Sequence, residues 1–422
     1  MSRFLLVAPP LVGHVNPLVA VAAELRDRGH EVAWAGHADL VRRLAGPGAR
    51  VHDCALPPSG GLARPPELTG PAAFRFLWQD FFAPLAEAMA DGVAKAIGDF
   101  RPDLVLADQH AVAGPLVAER LGVPCATSAS TSAELVDVLA DLPKVRDWVT
   151  NLLGSLRSRI GDPAATGDPR YPPLGVVAFT TRALVGDVDL PAGVRLVGPA
   201  VTARPTGGFP WDLLAEDRRL VLVSLGTANV DAGERFLTAA ATALAARPHV
   251  QGVVVDPGGV LGAPPPEVLV LPHVPQLELL ARCAAVVCHA GHNTVCESLW
   301  HGVPLVLAPI RDDQPLVADQ VVAAGAGVRV RFGRVSAERL GDALDAVLDP
   351  ASGHRAAAEV ISRSFRAAGG ATAAADHLEQ LTAGAAGLTA AADATPDRTA
   401  AASGTTLATS ATATAASGTT AR

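Results

Sequence analysis

The sequence lacks three features: an excess of basic residues, a long apolar run and an even set of cysteines. Its net charge is -8 and its pI is near 5.8, which argues against nucleic acid as a partner. The apolar run in MSRFLLVAPP ends at a double proline, well short of the roughly 18 residues that span a membrane. Five scattered cysteines argue against a disulfide framework. We therefore expect a cytoplasmic protein with no stable membrane insertion.

What is present is a regular alternation of short apolar runs and amphipathic segments. The chain has 422 residues and 49% hydrophobic content, enough for two or three domains. Strands are predicted at 4–8, 31–36, 50–54, 103–107 and 124–128, and again at 220–224, 253, 268, 284–288, 304–308 and 328–332. Because these strands are apolar along their whole length and alternate with helices, the fold class is α/β with doubly wound parallel sheets.

A change in composition divides the chain. Residues 199–213 are rich in Pro, Gly and Thr and lack periodicity, as an interdomain linker should. We therefore predict an N-terminal domain at 1–198 and a C-terminal domain at 214–385, which ends in a helix near 371–381. Residues 386–422 are mostly Ala, Thr, Ser and Gly and are predicted to be disordered and removable.

The first strand is followed by a loop without the glycine pattern of dinucleotide enzymes. Only Gly13 is present, next to His14, and Pro17 is predicted to open the helix. Asp108 ends another strand of the same sheet, so it should lie near His14. A carboxylate on one imidazole nitrogen leaves the other free to take a proton. We predict His14 as a general base and Asp108 as its orienting partner, with His110 as a competitor for either role.

The stretch from 273 to 320 predicts an anion site. A buried strand leads through His289 and Gly291 into a helix that starts near His292, Asn293 and Thr294, whose amides and side chains can hold phosphate. Glu297 is placed to accept bonds from ribose, or is simply solvated. Asp313 and Gln314 follow the next strand and suit sugar hydroxyls. A metal site at Cys288, His289, His292 and Cys296 fits no standard zinc spacing and is disfavoured.

Aromatic residues are few but clustered. Five of the chain's 17 Phe, Trp and Tyr residues lie within 74–82, in a segment (56–82) predicted to be irregular. They form either local core or an apolar wall for a ligand, which would include Phe74, Trp78 and Phe82. A second segment predicted to be irregular, 130–171, could complete that wall.

Several of these motifs, taken together, resemble the nucleotide-sugar-dependent glycosyltransferases of family 1. The resemblance is carried by Gly13–Pro17, Asp108, Ser224–Thr227, His273–Gln276, His289–Thr294, Glu297, Gly302–Pro304 and Asp313–Gln314. It covers nearly the whole chain except the tail. His273 departs from the aromatic residue that many relatives place against the base, and His292 stands where many plant relatives have Trp.

The resemblance implies a GT-B fold, in which two Rossmann-like domains face each other across a cleft. It implies inverting, metal-independent hexose transfer from a UDP- or dTDP-sugar to a hydroxyl or other nucleophile of a hydrophobic small molecule, without a further cofactor. His14 would deprotonate the acceptor, and His110 would join the aromatic wall. The donor site would comprise Ser224, Gly226, Thr227, His273, Val274, Gln276, His289, Gly291, His292, Asn293, Thr294, Glu297, Asp313 and Gln314.

Other functions are weighed against this one. A nucleotide-sugar epimerase on the same architecture would need no aromatic wall. A non-catalytic relative should have lost His14, Asp108, His289 or Glu297, yet all four are present. An NAD-dependent dehydrogenase would need a glycine-rich turn after its first strand. The acceptor, the sugar and the oligomeric state do not follow from the sequence.

Overall fold

The computed structural model describes residues 1–60, 62, 65, 68, 70–135, 142–202, 208–226 and 233–393, the last nine by backbone alone. Residues Met1–Thr382 form one compact unit that contains two parallel sheets. The second unit, Ala383–Arg422, is described as far as residue 393, as the end of a helix. Thus everything that positions the candidate site lies in the first unit.

The first sheet has seven parallel strands in the order β3-β2-β1-β4-β5-β6-β7. The strands are β1 (Arg3–Val7), β2 (Glu31–Gly36), β3 (Val51–Asp53), β4 (Leu104–Asp108), β5 (Cys125–Ala129), β6 (Val176–Ala178) and β7 (Val194–Leu196). In the centre, β1 pairs with both β2 and β4, and its residues Phe4–Val7 are fully buried. Burial on both faces explains why the central strands β1 and β4 read as almost unbroken apolar runs.

Helices cover both faces of this sheet. They are α1 (Val12–Asp27), α2 (Ala38–Ala45), α3 (Gly70–Phe76), a π-helical segment (Leu77–Phe82), α4 (Ala83–Phe100), α5 (Ala113–Arg120), α6 (Pro143–Ile160) and α7 (Arg182–Val185). Parallel neighbours require such crossovers, and the sheet reverses its winding between β1 and β4. The carboxyl ends of β1, β4 and β5 therefore meet at one edge.

The second sheet has six parallel strands in the order β10-β9-β8-β11-β12-β13. The strands are β8 (Arg219–Ser224), β9 (Val250–Val255), β10 (Val268–Leu271), β11 (Cys283–Cys288), β12 (Leu305–Leu307) and β13 (Gly327–Arg329). The helices are α8 (Glu234–Ala245), α9 (Gln276–Leu280), α10 (His292–Trp300), α11 (Gln314–Ala323), α12 (Ala337–Leu348), α13 (His354–Ala368) and α14 (Ala371–Asp393). The predicted α/β class with two doubly wound parallel sheets is confirmed.

The start of α1 differs from the prediction. The helix begins at Val12, so His14 lies in its first turn and Pro17 lies inside it. Proline lacks the N–H that would bond to the carbonyl of Gly13, which is why the sequence suggested a start at Pro17. That carbonyl instead accepts a hydrogen bond from the side chain of Asn293, 2.7 Å away. A partner distant in sequence thus permits a proline here.

The two segments predicted to be irregular contain helices. The first holds α3 and the π-helical segment, and the second holds the 18-residue α6. Helix α6 buries Val149, Leu153, Leu156 and Ile160, a helical spacing that Gly154 in its middle obscured. The prediction of irregular structure was therefore wrong for residues 70–82 and 143–160.

The last helix, α14, runs to Asp393, twelve residues beyond its predicted end and into the predicted tail. Its many alanines favour helix and explain the extension. Ala374, Ala375 and Leu378 are buried in the core of the first sheet, and Glu379 pairs with Arg28 and His30. The helix therefore returns to the first half of the chain. Residues 394–422 lie outside the described residues, and the domain boundaries stay predictions.

All five cysteines are free and buried. Burial raises the pKa of Cys54, Cys125, Cys283 and Cys288 to about 12. In the part of the chain that the structure describes, no helix is long and apolar enough to cross a membrane.

Candidate active site

A cavity of about 1740 Å³ opens between the carboxyl edges of the two sheets. Of the predicted site residues that the structure describes, every one except Asp108 lines it. Asp108 lies directly beneath, 1% exposed at the end of β4. Thr227 falls outside the described residues. The structure therefore brings the predicted base, donor and acceptor residues to one place.

His14 and Asp108 form the predicted pair. The Nδ1 of His14 lies 2.9 Å from Oδ1 of Asp108 and 2.8 Å from the hydroxyl oxygen of Ser130. Helix α1 presents the histidine, β4 the carboxylate and the end of β5 the serine. Since Nδ1 is engaged, Nε2 is the nitrogen left to accept a proton. Ser130 was not predicted, because nothing in its neighbourhood marks it apart from the strand end.

His110 does not compete for either role. Its Nε2 lies 2.9 Å from Oε1 of Glu134, and its Nδ1 is buried without a hydrogen-bond partner. Burial alone would lower the pKa of His110, but the adjacent Glu134 carboxylate outweighs it, so the pKa is raised. Its backbone N–H donates to Oδ1 of Asp108 at 2.9 Å. His110 thus contacts Asp108 through its backbone, while Glu134 holds its ring.

The aromatic cluster belongs to the hydrophobic core and also forms part of the cavity wall. Trp78, Phe81 and Phe82 are at most 2% exposed, yet Phe74, Trp78 and Phe82 also line the cavity. Phe82 stacks on His110, with ring centroids 4.5 Å apart and planes 6° from parallel. The two interpretations of the cluster are therefore compatible.

His289 is held tightly at the other side of the cavity. It follows β11 and its imidazole fills the space above Gly226 and Gly291: a Cβ at either glycine would lie 2.6 Å or less from a ring atom. Burial lowers the pKa of His289 to about 4, so the ring is neutral near pH 7. This side chain thus makes a close approach at Gly291.

Helix α10 starts at the cavity, and side chains of its first turn contact residues of the first half. Ala290, with φ of 64°, turns the chain from β11 into the helix, whose first residues are His292, Asn293 and Thr294. The side chain of Asn293 donates to the carbonyl of Gly13, and that of His292 lies 3.3 Å from the hydroxyl of Ser132. The free N–H groups of the first turn give this end a positive partial charge.

The remaining residues of the predicted nucleotide-sugar site form a polar rim around the cavity. Gln276 donates to Glu297 at 2.7 Å, at the end where exposed His273 and half-buried Val274 line the cavity. The side-chain oxygen of Gln314 accepts from the amides of Ile310 and Arg311, which fixes the turn after β12.

The sequence did not reveal the contacts that Ser130, Thr131 and Ser132 make. The hydroxyl of Thr131 donates to Oδ2 of Asp313 at 2.6 Å, and that of Ser132 donates to Gln320 at 2.5 Å. Burial raises the pKa of Asp313, and the Thr131 hydrogen bond opposes this. Three successive hydroxyls therefore link His14 to helix α11 of the second half. Short polar side chains after a strand are common, so no pattern singled them out.

One set of three potential metal ligands lies close together among the described residues, namely His14, Asp108 and His110. One ring nitrogen of each histidine is already engaged, Nδ1 of His14 by Asp108 and Nε2 of His110 by Glu134. The disfavoured metal site at Cys288, His289, His292 and Cys296 does not form such a set.

Comparison with known proteins agrees with this geometry. The family model described as "UDP-glucoronosyl and UDP-glucosyl transferase" matches residues 203–362, and "Glycosyltransferase family 28 N-terminal domain" matches residues 12–137. The chain is 31% identical to 4'-demethylrebeccamycin synthase of Lentzea aerocolonigenes over 82% of this chain and 92% of that protein. It is 28% identical to demethyllactenocin mycarosyltransferase of Streptomyces fradiae, over 80% of this chain and 78% of that protein.

Solved structures show the same architecture. The glycosyltransferase of kitacinnamycin superposes with a TM-score of 0.72 at 27% identity, covering 90% of this chain and 98% of that one. The calicheamicin glycosyltransferase CalG4 gives 0.73 at 24% identity, with the same coverage. With two Rossmann-like domains, a His–Asp pair and a full-length relative above 30% identity, the chain belongs to the nucleotide-sugar-dependent glycosyltransferases of family 1 and has their GT-B fold.

Proposed function

We propose that this glycosyltransferase moves a hexose from a UDP- or dTDP-sugar to a hydroxyl of a hydrophobic small molecule, with inversion at the anomeric carbon. One observation carries the proposal. His14 is fixed through Nδ1 by Asp108 in a cavity that also contains the start of α10. A general base and an anion-binding helix end thus face the same space, as transfer from a diphosphate requires.

The base supports the nucleophile. His14 takes the proton of the acceptor hydroxyl on Nε2 while the new bond forms from the acceptor oxygen to the anomeric carbon, and the bond from that carbon to the diphosphate breaks. Asp108 stabilises the resulting imidazolium. A positioned base of this kind contributes about 10²- to 10⁴-fold to the rate. Attack opposite the leaving diphosphate inverts the configuration.

The second half of the protein supports the leaving group. The amides of the first turn of α10, the Thr294 hydroxyl and His289 offer hydrogen bonds to the diphosphate, so the proposal includes no metal ion or further cofactor. Glu297 is placed for the ribose, and Asp313 and Gln314 for the sugar. Ser224, Gly226, His273, Val274 and Gln276 line the remaining donor space, next to Gly291, His292 and Asn293.

The acceptor is proposed to be apolar and fairly large. Phe74, Trp78 and Phe82 give the first half of the cavity a wall of aromatic rings, and Trp148 packs edge-on against Phe74. Such walls bind rings by apolar burial. The relatives named above for rebeccamycin, lactenocin and kitacinnamycin support a natural product as the acceptor. A nucleotide-sugar epimerase would leave this wall without a role.

The test combines a substrate screen with one variant. UDP- and dTDP-sugars are offered with aromatic and polyketide-like acceptors, and products are identified by mass spectrometry. His14→Ala should lose at least 100-fold in kcat, while calorimetry shows UDP or dTDP bound as by the wild type. His37→Ala, a histidine outside the cavity lining, is the matched control. Transfer by His14→Ala at the wild-type rate would contradict the base assignment, and turnover of the sugar nucleotide without any acceptor would favour an epimerase.

A further inference from the structure

Thr131 is a buried residue of the first half that the proposed chemistry does not use. It follows β5, is 5% exposed and lines the cavity. Its hydroxyl oxygen accepts a hydrogen bond from the backbone N–H of Ala133 at 3.3 Å, and its O–H donates to Oδ2 of Asp313 at 2.6 Å. A hydroxyl has one hydrogen to donate, and this one is committed to a residue of the second half, 182 positions away in sequence.

Asp313 lies at the start of α11, but its side chain does not cap that helix. Aspartate at such a position commonly accepts a hydrogen bond from an amide of the first turn, and the side chain of Asp313 makes no bond of this kind. Gln314 instead accepts from two backbone N–H groups of the preceding turn, in which Asp312 has φ of 58°. Other groups therefore shape the turn, and the Asp313 carboxylate lines the cavity, where Thr131 holds it.

The hydrogen bond from Thr131 has two effects on this carboxylate. Burial raises the pKa of Asp313, the Thr131 hydroxyl opposes this rise, and the charge of Asp312 adds to it. The bond thus favours the ionised form, which only accepts hydrogen bonds and so suits the hydroxyls of a sugar. It also restricts rotation of the group, because Oδ2 is engaged and Oδ1 is left for a ligand.

We propose that Thr131 is a positioning residue for the donor sugar, which acts across the cavity by holding the Asp313 carboxylate towards the sugar hydroxyls. The residue that contacts the sugar belongs to the second half, and the residue that orients it belongs to the first. Recognition of the sugar therefore depends on the contact between the halves, whereas the diphosphate at the start of α10 does not need this bond. The inference rests on the proposed contact between Asp313 and the sugar.

The neighbouring residue Ser132 provides a matched comparison. Its hydroxyl donates to Gln320 at 2.5 Å and lies 3.3 Å from Nδ1 of His292, so it also connects the first half to the second. Gln320 belongs to α11, as the residue after Asp313 does, but it does not line the cavity. A variant at Ser132 thus weakens the contact between the halves without touching the carboxylate.

Thr131→Val is the decisive variant, because valine has nearly the same shape as threonine and lacks the hydroxyl. Calorimetry measures binding of UDP-glucose and dTDP-glucose, with UDP and dTDP as the matched ligands without sugar. We expect about tenfold weaker binding of whichever sugar nucleotide the wild type binds more tightly, and unchanged binding of its diphosphate. Thr131→Ala should have the same effect, and Thr131→Ser, which keeps the hydroxyl, should bind as the wild type does.

Two further variants separate positioning from a general role in structure. Ser132→Ala should leave the ratio of the two dissociation constants, for sugar nucleotide and diphosphate, as in the wild type. Asp313→Asn should weaken binding of the sugar nucleotide, and adding Thr131→Val to it should cause no further loss, because both changes act on one carboxylate. Melting temperatures report whether each variant folds.

Several results would overturn the proposal. They are wild-type binding of both sugar nucleotides by Thr131→Val, equal weakening of sugar nucleotide and diphosphate, and independent, additive losses in the double variant. Wild-type binding by Asp313→Asn would overturn it together with the proposed sugar contact. All of these measurements use binding alone, so they are independent of the His14→Ala assay, which tests the proposed transfer.

Discussion

The side-chain amide of Asn293 donates a 2.7 Å hydrogen bond to the carbonyl oxygen of Gly13, the residue before His14. That carbonyl is available because Pro17 cannot donate to it within α1. Helix α10, whose start is proposed to hold the diphosphate, is thereby attached to the helix that carries the proposed base. This bond thus fixes the start of α10 relative to the first turn of α1.

Asn293→Ala should lower kcat more than it weakens nucleotide binding. A hydrogen bond of this kind contributes about 1 kcal/mol, so we expect a five- to tenfold loss in kcat. Steady-state kinetics and calorimetry with UDP or dTDP measure the two effects. Asn151→Ala, an exposed asparagine on α6, is the control and should behave as the wild type. A variant with unchanged kcat would show that the bond does not align the helices.

Gly226→Ala and Gly291→Ala should each displace His289. The added Cβ would lie 2.6 Å from Cε1 in the first case and 2.3 Å from Nε2 in the second, and Gly226 also has φ of 71°. We expect at least tenfold weaker binding of the nucleoside diphosphate and a lower melting temperature.

The control for these two variants is Gly154→Ala. A Cβ at this position, in the exposed middle of α6, meets no atom within 4 Å, so helix propensity should raise stability by about 0.5–1 kcal/mol. If Gly226→Ala and Gly291→Ala bound the nucleotide as tightly as Gly154→Ala does, the ring of His289 would have no role in binding.

Acid should destabilise the protein through His289 and His292. Burial lowers the pKa of each from 6.5 to about 4. The unfolded chain therefore binds protons at these sites that the folded protein does not. The stability is fully present above pH 6.5, falls as the pH decreases towards 4, and is reduced at pH 5 by about 2 kcal/mol per histidine.

Melting temperatures of the wild type and His292→Gln between pH 7 and pH 5 test this. The decrease should be smaller in the variant, because it has one site fewer to protonate on unfolding. The substitution also changes the packing in this buried position, so only the slope against pH is compared, not the absolute value. Equal slopes would mean that His292 is protonated in the folded protein.

Helix α14 determines how far the chain can be shortened from its C-terminus. A chain ending at residue 387 should retain transfer activity and melting temperature, since it keeps Ala374, Ala375, Leu378 and the ion pairs of Glu379. A chain ending at residue 370 loses all of these and should lose several kcal/mol of stability. Activity and thermal melting distinguish the two. Loss of activity in the longer chain would give residues 388–422 a role that their composition does not suggest.

Periodicity predicted most of the fold. Strands such as β4 and β11 are apolar up to the polar residue that ends or follows them, so both their type and position followed from local sequence. The start of α1 did not follow, because Pro17 is compatible with that helix only through Asn293, 280 residues away in sequence. Likewise, Gly154 interrupts the apolar pattern of α6 without breaking the helix.

The site residues that could be predicted are those whose side chains suit the chemistry and whose position in the sequence is near the end of a strand. His14, Asp108 and His289 each follow or end a buried strand, which places them at the edge where ligands bind. The commitment of His110 to Glu134 could not be predicted, since Glu134 lies in a segment without periodicity and its partner Arg170 is 36 residues away. Pairing of buried charges depends on tertiary contacts that no local pattern encodes.

Because all five thiols are buried, their reaction with a thiol reagent can show when a part of the protein opens. A thiol reagent reacts with the thiolate, which these cysteines neither form readily nor expose. Labelling can proceed only when a core separates, so its rate counts opening events. Cys54 and Cys125 lie in the core beside the first sheet, and Cys283, Cys288 and Cys296 lie in that of the second. Mass spectrometry of the labelled peptides can thus show which half opens first.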